Sequence, residues 1–273
     1  MKISILIATY NRLIELAELL ESICNQTVQP HEIIIVNDAG TSITPLVELY
    51  KELPIKSIEL EENVKHVHAR NIGVTYVTGD VIMLCDDDDY FTETHIEQVQ
   101  KELEEAEFVY ADAEIVSFEQ RGTTRYPLTR RTFAYEYNLQ EMRKFSTYIP
   151  SGSAYKKELH DQIGLFDSEV HNYWDWDFFL RAAQVCRVKR MPIASVIYAF
   201  SEAGTNQSAD LNDRRKHFLR KLCDKHQLGD LPIKNFFVLL EEAEMKQREA
   251  QTKLVWNGQP LRSRLAEQEE VIE

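Results

Sequence analysis

Cysteine is scarce and scattered: Cys24, Cys85, Cys186 and Cys223 form no CxxC pair and no set at zinc-ligand spacing. That excludes a disulfide scaffold and a zinc knuckle and points to a reducing compartment. No apolar run reaches the roughly 18 residues of a membrane-spanning helix, and the stretch after Lys2 is too short for a signal-peptide core. A cytoplasmic protein without a transmembrane segment is expected. The nine glycines include no GxGxxG, no GxxxxGKS/T and no GxSxG, so the dinucleotide fingerprint, the P-loop and the nucleophile elbow are all missing. Any phosphate must be held by another device. Positive charge is the minority sign, 31 Lys plus Arg against 45 Asp plus Glu for a net charge of -14. This removes a general attraction to nucleic acid or anionic lipid and favours cation binding.

Against these absences stands a 44% hydrophobic content, enough to close a large core in 273 residues. Over the first 110 residues, short β-branched runs alternate with helical periodicity, the pattern of a mostly parallel α/β sheet flanked by helices. Strands are expected at 3–8, 32–36, 56–60, 81–85 and 108–111. Helices are expected from Leu13, with Asn11 as cap, near 45–52, over 65–77 and over 93–104. From residue 112 the texture is α+β, with paired strands at 114–118 and 124–126, a polar loop region to about 150, then two helices and more short strands. Beyond Asn206 the chain reads as helical and charged, with helices at 216–226 and 236–251 and a mobile or partner-bound tail after Gly258.

The strongest chemical feature is Asp86, Asp87, Asp88 and Asp89 directly after an apolar strand. Four adjacent carboxylates at the edge of a core repel one another, and a divalent cation offsets that repulsion. Oxygen ligands favour Mg²⁺ or Mn²⁺, whose shell substrate phosphates complete; an acidic turn before a helix is the plainer alternative. In open parallel sheets, ligands sit outside the carboxyl ends of the strands. Three polar clusters fall there: Thr9 to Arg12, Asn37 with Asp38, and the aspartate run. Asp38 can accept N–H bonds from a nucleobase edge or belong to an ordinary turn. Arg70 can pair with phosphate or with the acidic cluster, or serve as a surface arginine. His66 and His68, two apart on a helix, do not make a joint metal site. A second cluster, His171 to Asp177, interleaves carboxylates with tryptophans, which suits a carbohydrate and equally suits a capped helix with an aromatic core.

In order and spacing, these segments resemble glycosyltransferase family 2, the inverting sugar-nucleotide transferases of the GT-A fold. The resemblance rests on Ser4 to Arg12, Val36-Asn37-Asp38, Ala69 to Gly73, Leu84 to Asp89, Ile163 to Asp167 and Asp175 to Arg181, over about residues 1–200. It implies a Rossmann-like sheet with a nucleotide-sugar-binding half (1–111), an acceptor half of the same domain (112–205) and a C-terminal helical extension (206–273). Carried over position by position, Thr9, Tyr10, Arg12 and Asp38 would line the nucleotide, Arg70 the base or diphosphate, and Asp86 with Asp87 the ribose side. Asp88 would hold Mn²⁺ or Mg²⁺ in a DXD-like motif, and Asp175 would be the catalytic base. Asp177 and Arg181 would support its helix, while Ser151, Gly152, Ser153 and Trp174 would touch acceptor or sugar.

The implied activity is metal-assisted transfer, with inversion, from a UDP-sugar to a saccharide or other hydroxyl, as in cell-surface polysaccharide biosynthesis. The C-terminal helices would serve acceptor choice or assembly, including a homo-oligomer, and be dispensable for donor binding. Two positions depart from the family pattern. Trp174 stands where an acidic residue usually precedes the base, and a downstream Tyr-Arg-x-His-like element reads Tyr198, Ala199, Phe200, Ser201. A nucleotidyltransferase, or a non-catalytic cation- or nucleotide-binding module, is the alternative.

Overall fold

The first strand is buried along its whole length because both of its faces are covered. Ile3, Ile5 and Ile7 of β1 (Ile3–Thr9) pack with Leu16, Leu20 and Ile23 of α1 (Leu13–Cys24), whereas Leu6 and Ala8 pack with Val67, Ala69 and Val74 of α3 (His66–Tyr76). Side chains alternate between the faces of a strand, so one sequence feeds two cores. The computed structural model describes residues 1–200, 213–234 and 239–270.

Beside β1 lie β2 (Glu32–Asn37) and then β3 (Ile55–Glu59) on one side and β4 (Val81–Asp86) on the other, all parallel. Between β2 and β3 run α2 (Thr44–Val47) and a 3₁₀ turn, Glu48–Tyr50. The strand order 3-2-1-4 reverses direction at β1, and the crevice at such a switch point is where α/β sheets bind ligands. Next come β5 (Tyr90–Phe91), α4 (His95–Glu102) and a long hairpin of β6 (Phe108–Arg121) with β7 (Thr124–Phe133). Then follow α5 (Leu139–Met142), β8 (Ala154–Lys156), α6 (Leu159–Ile163), a 3₁₀ segment Ser168–Tyr173, α7 (Trp174–Ala182) and β9 (Val188–Ala199). β8 joins β4 to β6 by antiparallel pairing, and β9 continues the sheet parallel to β6.

Three expectations change. The strands at 108–111 and 114–118 are one 14-residue strand, so the boundary at 111/112 falls inside β6. The polar residues that interrupt its apolar run are buried and paired: Asp112 with Arg190 at 2.7 Å and Glu114 with Arg130 at 2.6 Å. Asn11 does not cap α1. It sits at φ 58°, and its Oδ1 accepts the Thr41 N–H at 2.8 Å instead.

The third change is C-terminal. α8 (Asp213–His226) forms as expected, but the helix at 236–251 does not run through: Phe236 lies outside the described residues, Glu242 is extended with ψ 140°, and α9 covers only Ala243–Gln247. Glu249 instead bridges to Tyr135, and β10 (Lys253–Leu254) extends the sheet beside β9. As far as Glu270 the tail packs against the fold. In α10 (Arg264–Glu270), Leu265 packs with the α1-side core, Ala266 is buried, and Arg264 pairs with Glu52 and donates to the Leu49 carbonyl at 2.6 Å. One arginine across two elements supplies the anchorage that the low apolar content concealed.

Candidate active site

The register of the parallel strands sets Ala8 opposite Asp86 and Thr9 opposite Asn37. The polar clusters at the strand ends therefore meet, around a cleft of about 450 Å³. Thr9, Tyr10, Arg12 and Asp38 line it from β1 and β2. Arg70, Asp86, Asp87 and Asp88 line it from α3 and β4, and Trp174 and Asp175 from α7. The two clusters that are far apart in sequence thus share one wall-to-wall space.

The acidic turn is fixed from every side. The Arg12 guanidinium donates to Asp87 at 3.2 Å and to Asp88, and Arg70 donates to Asp86 while stacking over the Trp174 ring at 4.5 Å. Asp89 turns inward, accepting from the Ser151 hydroxyl and from the Ala199 N–H at 2.8 Å. From β7, Arg125 holds the Asp88 carbonyl at 3.0 Å and is itself clamped by buried Glu18 at 2.7 Å. Burial raises the Asp87 carboxyl to about 7, with the Asp88 charge adding to the rise and Arg12 opposing it. Burial also raises Asp88, again against Arg12, and lifts Asp89 well above the carboxylate range.

Asp86, Asp88 and Asp89 each offer a carboxylate oxygen within 4.8 Å of the others. An all-oxygen donor set fits a hard divalent cation such as Mg²⁺ or Mn²⁺. Asp89 already accepts at both oxygens and does not line the cleft, so Asp86 and Asp88 are the two carboxylates of this group that face it.

Asp175 stands in the first turn of α7, half-buried, and burial raises its carboxyl to about 6. The helix N–H groups and Arg70 restrain that rise, while the Asp86 charge adds to it. Two residues on, Asp177 is fully buried on another side of the helix. It receives Arg181 at 2.8 Å, Lys225 at 2.7 Å and His226 at 2.7 Å, and these partners hold its carboxyl down to about 2 against the opposing effect of burial. Lys225 and His226 belong to α8, so the C-terminal extension grips the helix that carries Asp175.

Ser151, Gly152 and Ser153 do not reach the cleft. Ser151 and Ser153 are buried and bonded within the fold, Ser151 to Asp89 and to the Asp86 N–H at 3.0 Å, and Ser153 to the Pro150 carbonyl at 2.6 Å. Gly152 needs its positive φ of 76°, and a Cβ there would meet Val196 at 2.5 Å. Trp174 is only 6% exposed, and its ring lies edge-on to Phe166 and under Arg70.

Asn63, Lys65, His66, His171, Asn172, Tyr198 and Arg215 also line the cleft. Of these, Asn63, Lys65 and Arg215 carry no motif in the sequence. Lys65 sits at φ 73°, a conformation that a lysine gives no warning of, and Arg215 arrives from a helix about forty residues past Asp175. His66 packs tilted against His171, ring centroids 4.3 Å apart, and burial drives its imidazole down to about 2, so it stays neutral.

The chain is 63% identical over 265 residues to an uncharacterised glycosyltransferase, YwdF, of Bacillus subtilis, covering 97% of this chain and 99% of that one. It is 28% identical over 195 residues to an uncharacterised glycosyltransferase of Haemophilus influenzae, covering 67% of this chain and 62% of the relative. Among solved structures, S. aureus TarS in complex with UDP-GlcNAc superposes with a TM-score of 0.63 at 21% identity, covering 91% of this chain and 72% of TarS. The mannosyltransferase PcManGT of Pyrobaculum calidifontis, in complex with GDP-Man and Mn²⁺, superposes at 0.60 and 18% identity, covering 85% and 66%. These likenesses establish the GT-A fold. The nucleotidyltransferase and binding-module alternatives give way, because residues 4–164 match the family described as glycosyl transferase family 2, and the chain belongs to that family and is a glycosyltransferase.

Proposed function

We propose that the protein transfers a sugar from a nucleoside-diphosphate sugar, with UDP favoured, to an acceptor hydroxyl with inversion at the anomeric carbon. The observation that carries this reading is the convergence of Thr9, Asp38, Arg70, Asp86, Asp88 and Asp175 on one cleft. The UDP-GlcNAc held by TarS and the GDP-Man with Mn²⁺ held by PcManGT, proteins of the same fold, support a nucleotide-sugar donor and a divalent cation here. Asp38 lines the cleft, where its carboxylate also accepts the Val64 N–H at 2.7 Å, and there it would read the base. Asp86 and Asp88 would hold Mn²⁺ or Mg²⁺, which when bound neutralises charge on the diphosphate.

Asp175 is the base. It takes the proton of the acceptor hydroxyl as that oxygen bonds to the anomeric carbon from the face opposite the diphosphate. The anomeric C–O bond breaks, its electron pair leaves on the nucleoside diphosphate, and Arg70 stabilises the developing charge. A carboxyl raised to about 6 is still ionised at neutral pH and is a stronger base than an ordinary aspartate. The acceptor enters on the side of residues 112–205, and a role in cell-surface polysaccharide synthesis at the cytoplasmic side suits this chemistry.

A titration panel of UDP, GDP, CDP and dTDP, with Mn²⁺ or with chelator, tests the reading. Tightest binding of UDP, with Mn²⁺ strengthening it in the native protein but not in Asp88→Asn, is the expected result. Equal diphosphate affinity in Mn²⁺ and in chelator, unchanged by Asp88→Asn, would remove the cation from the account.

A further inference from the structure

Helix α8 runs against the charge of the chain. In a protein of net charge -14, it carries Arg214, Arg215, Lys216, Arg220, Lys221 and Lys225 against only Asp213 and Asp224. Its lysines pair with carboxylates: Lys216 with Asp213, Lys221 with Glu169, and Lys225 with Asp167 and Asp177. The two arginines at the amino end are used differently. Arg215 lines the cleft and donates to the Tyr173 hydroxyl at 3.1 Å. Arg214 is exposed, stacks at 5.8 Å over Phe218, and has no carboxylate partner among the described residues.

Across the cleft mouth, the loop before α3 presents Lys65, exposed, lining the cleft and likewise without a carboxylate partner among the described residues. Between the two stands His171, whose ring contacts Phe218 of α8 at 5.5 Å and His66 at 4.3 Å. Burial lowers the His171 imidazole, and the charges of Arg214 and Lys65 lower it further, so both cations act on one point of the mouth. The donor side is balanced separately, since Arg12 and Arg70 are engaged with Asp86, Asp87 and Asp88.

We infer that Lys65, Arg214 and Arg215 form an anion subsite at the cleft mouth, and that the acceptor carries a phosphate group near the hydroxyl that is glycosylated. An acidic protein repels an anionic substrate at long range, so cations held at the mouth recover its binding locally. Arginine forks and a lysine point charge are the side chains that proteins use for phosphate. The inference rests on the donor reading proposed above, because it assigns these residues to the second substrate.

The test uses the full chain with excess UDP and Mg²⁺, so that the donor's phosphate site is filled. UDP affinity is measured first, and then glucose and glucose 6-phosphate, which differ by one phosphate, are titrated by ligand-observed NMR. In the native protein, glucose 6-phosphate should bind about tenfold or more tightly than glucose, as expected for charge-assisted contacts. Arg214→Gln/Arg215→Gln and, separately, Lys65→Gln should lose most of that preference while keeping UDP affinity within about twofold. Lys65→Gln touches no helix packing and answers the question even if the double variant melts early. No preference in the native protein, or a preference unaltered in both variants, overturns the inference while UDP binding stands. A parallel loss of UDP affinity overturns it by returning these cations to the donor. Failure of UDP itself to bind sinks the donor reading and this one with it. Loss of binding to phosphatidylglycerol vesicles with no effect on glucose 6-phosphate would also overturn it, marking the patch as a lipid-facing surface.

Discussion

Helix α7 carries two aspartates on two sides, and the sides differ in what surrounds them. Asp175 faces the cleft beside Asp86, with its carboxyl raised to about 6, whereas Asp177 faces Arg181, Lys225 and His226 and is held at about 2. Two positions on a helix are separated by more than half a turn, so one turn of backbone reaches a solvent-linked cleft and an internal salt-bridge cluster at once. The comparison teaches how one motif divides its work. The environment that raises the Asp175 carboxyl also weakens the fold locally, and the adjacent, fully paired Asp177 restores the anchorage.

The largest effect that sharpens this comparison is on rate. Asp175→Asn keeps the shape of the side chain and removes its basicity, so transfer should fall by roughly 10² to 10⁴ with donor affinity nearly unchanged. Steady-state kinetics alongside UDP titration measures the split. Next is stability: Asp177→Ala removes the buried carboxylate that Arg181, Lys225 and His226 share, which should cost about 3 kcal/mol in chemical denaturation. If the melt stays within a degree of native, the cluster is not an anchor.

The two sides also respond to acid in opposite directions. Asp177 is depressed below the roughly 3.9 of an unfolded aspartate, so its contribution is complete above about pH 4 and is lost as pH falls toward about 2. Asp177→Asn should therefore flatten the acid limb of the stability curve. Asp175 is raised, so the folded state binds its proton more tightly than the unfolded chain does, and stability declines as pH rises from about 4 to about 6. Asp175→Asn should remove that decline, and native transfer should fall as pH drops below about 6. The smallest effect expected is that of Asp38→Ala. Losing a contact to the base should weaken UDP by roughly 1.5 to 3 kcal/mol, and losing the Val64 bond should lower stability by about 1 kcal/mol.

The cleft side was the more legible in the sequence. Strand-end positions are marked by the change from apolar run to polar cluster, so Thr9, Asp38 and Asp86 to Asp88 stand out, and parallel register brings them together. The anchoring side was hidden. Asp112 looked like the end of one strand and Glu114 like the start of another because their arginine partners lie 78 and 16 residues away, and only the folded chain supplies them. Ser151 and Ser153 read as possible substrate contacts because a small polar segment looks the same whether it faces a cleft or supports one from beneath. Arg215 and Lys65 carried no local pattern at all. The docking of α10 through Arg264 was hidden because a charged tail is read by composition, while its partners Glu52 and the Leu49 carbonyl belong to another element.

The most direct test sets the two aspartates side by side. UDP release from UDP-GlcNAc in Mn²⁺, with water as acceptor, is measured for the native protein, Asp175→Asn and Asp177→Asn at a temperature where all three are folded, and each rate is divided by the concentration of UDP-binding sites. Per binding site, Asp177→Asn should turn over within about tenfold of native, and Asp175→Asn should be at least about a hundredfold slower than native. An Asp175→Asn rate above about a tenth of native, or a reversal of the order of the two variants, would contradict the assignment of Asp175 as the base.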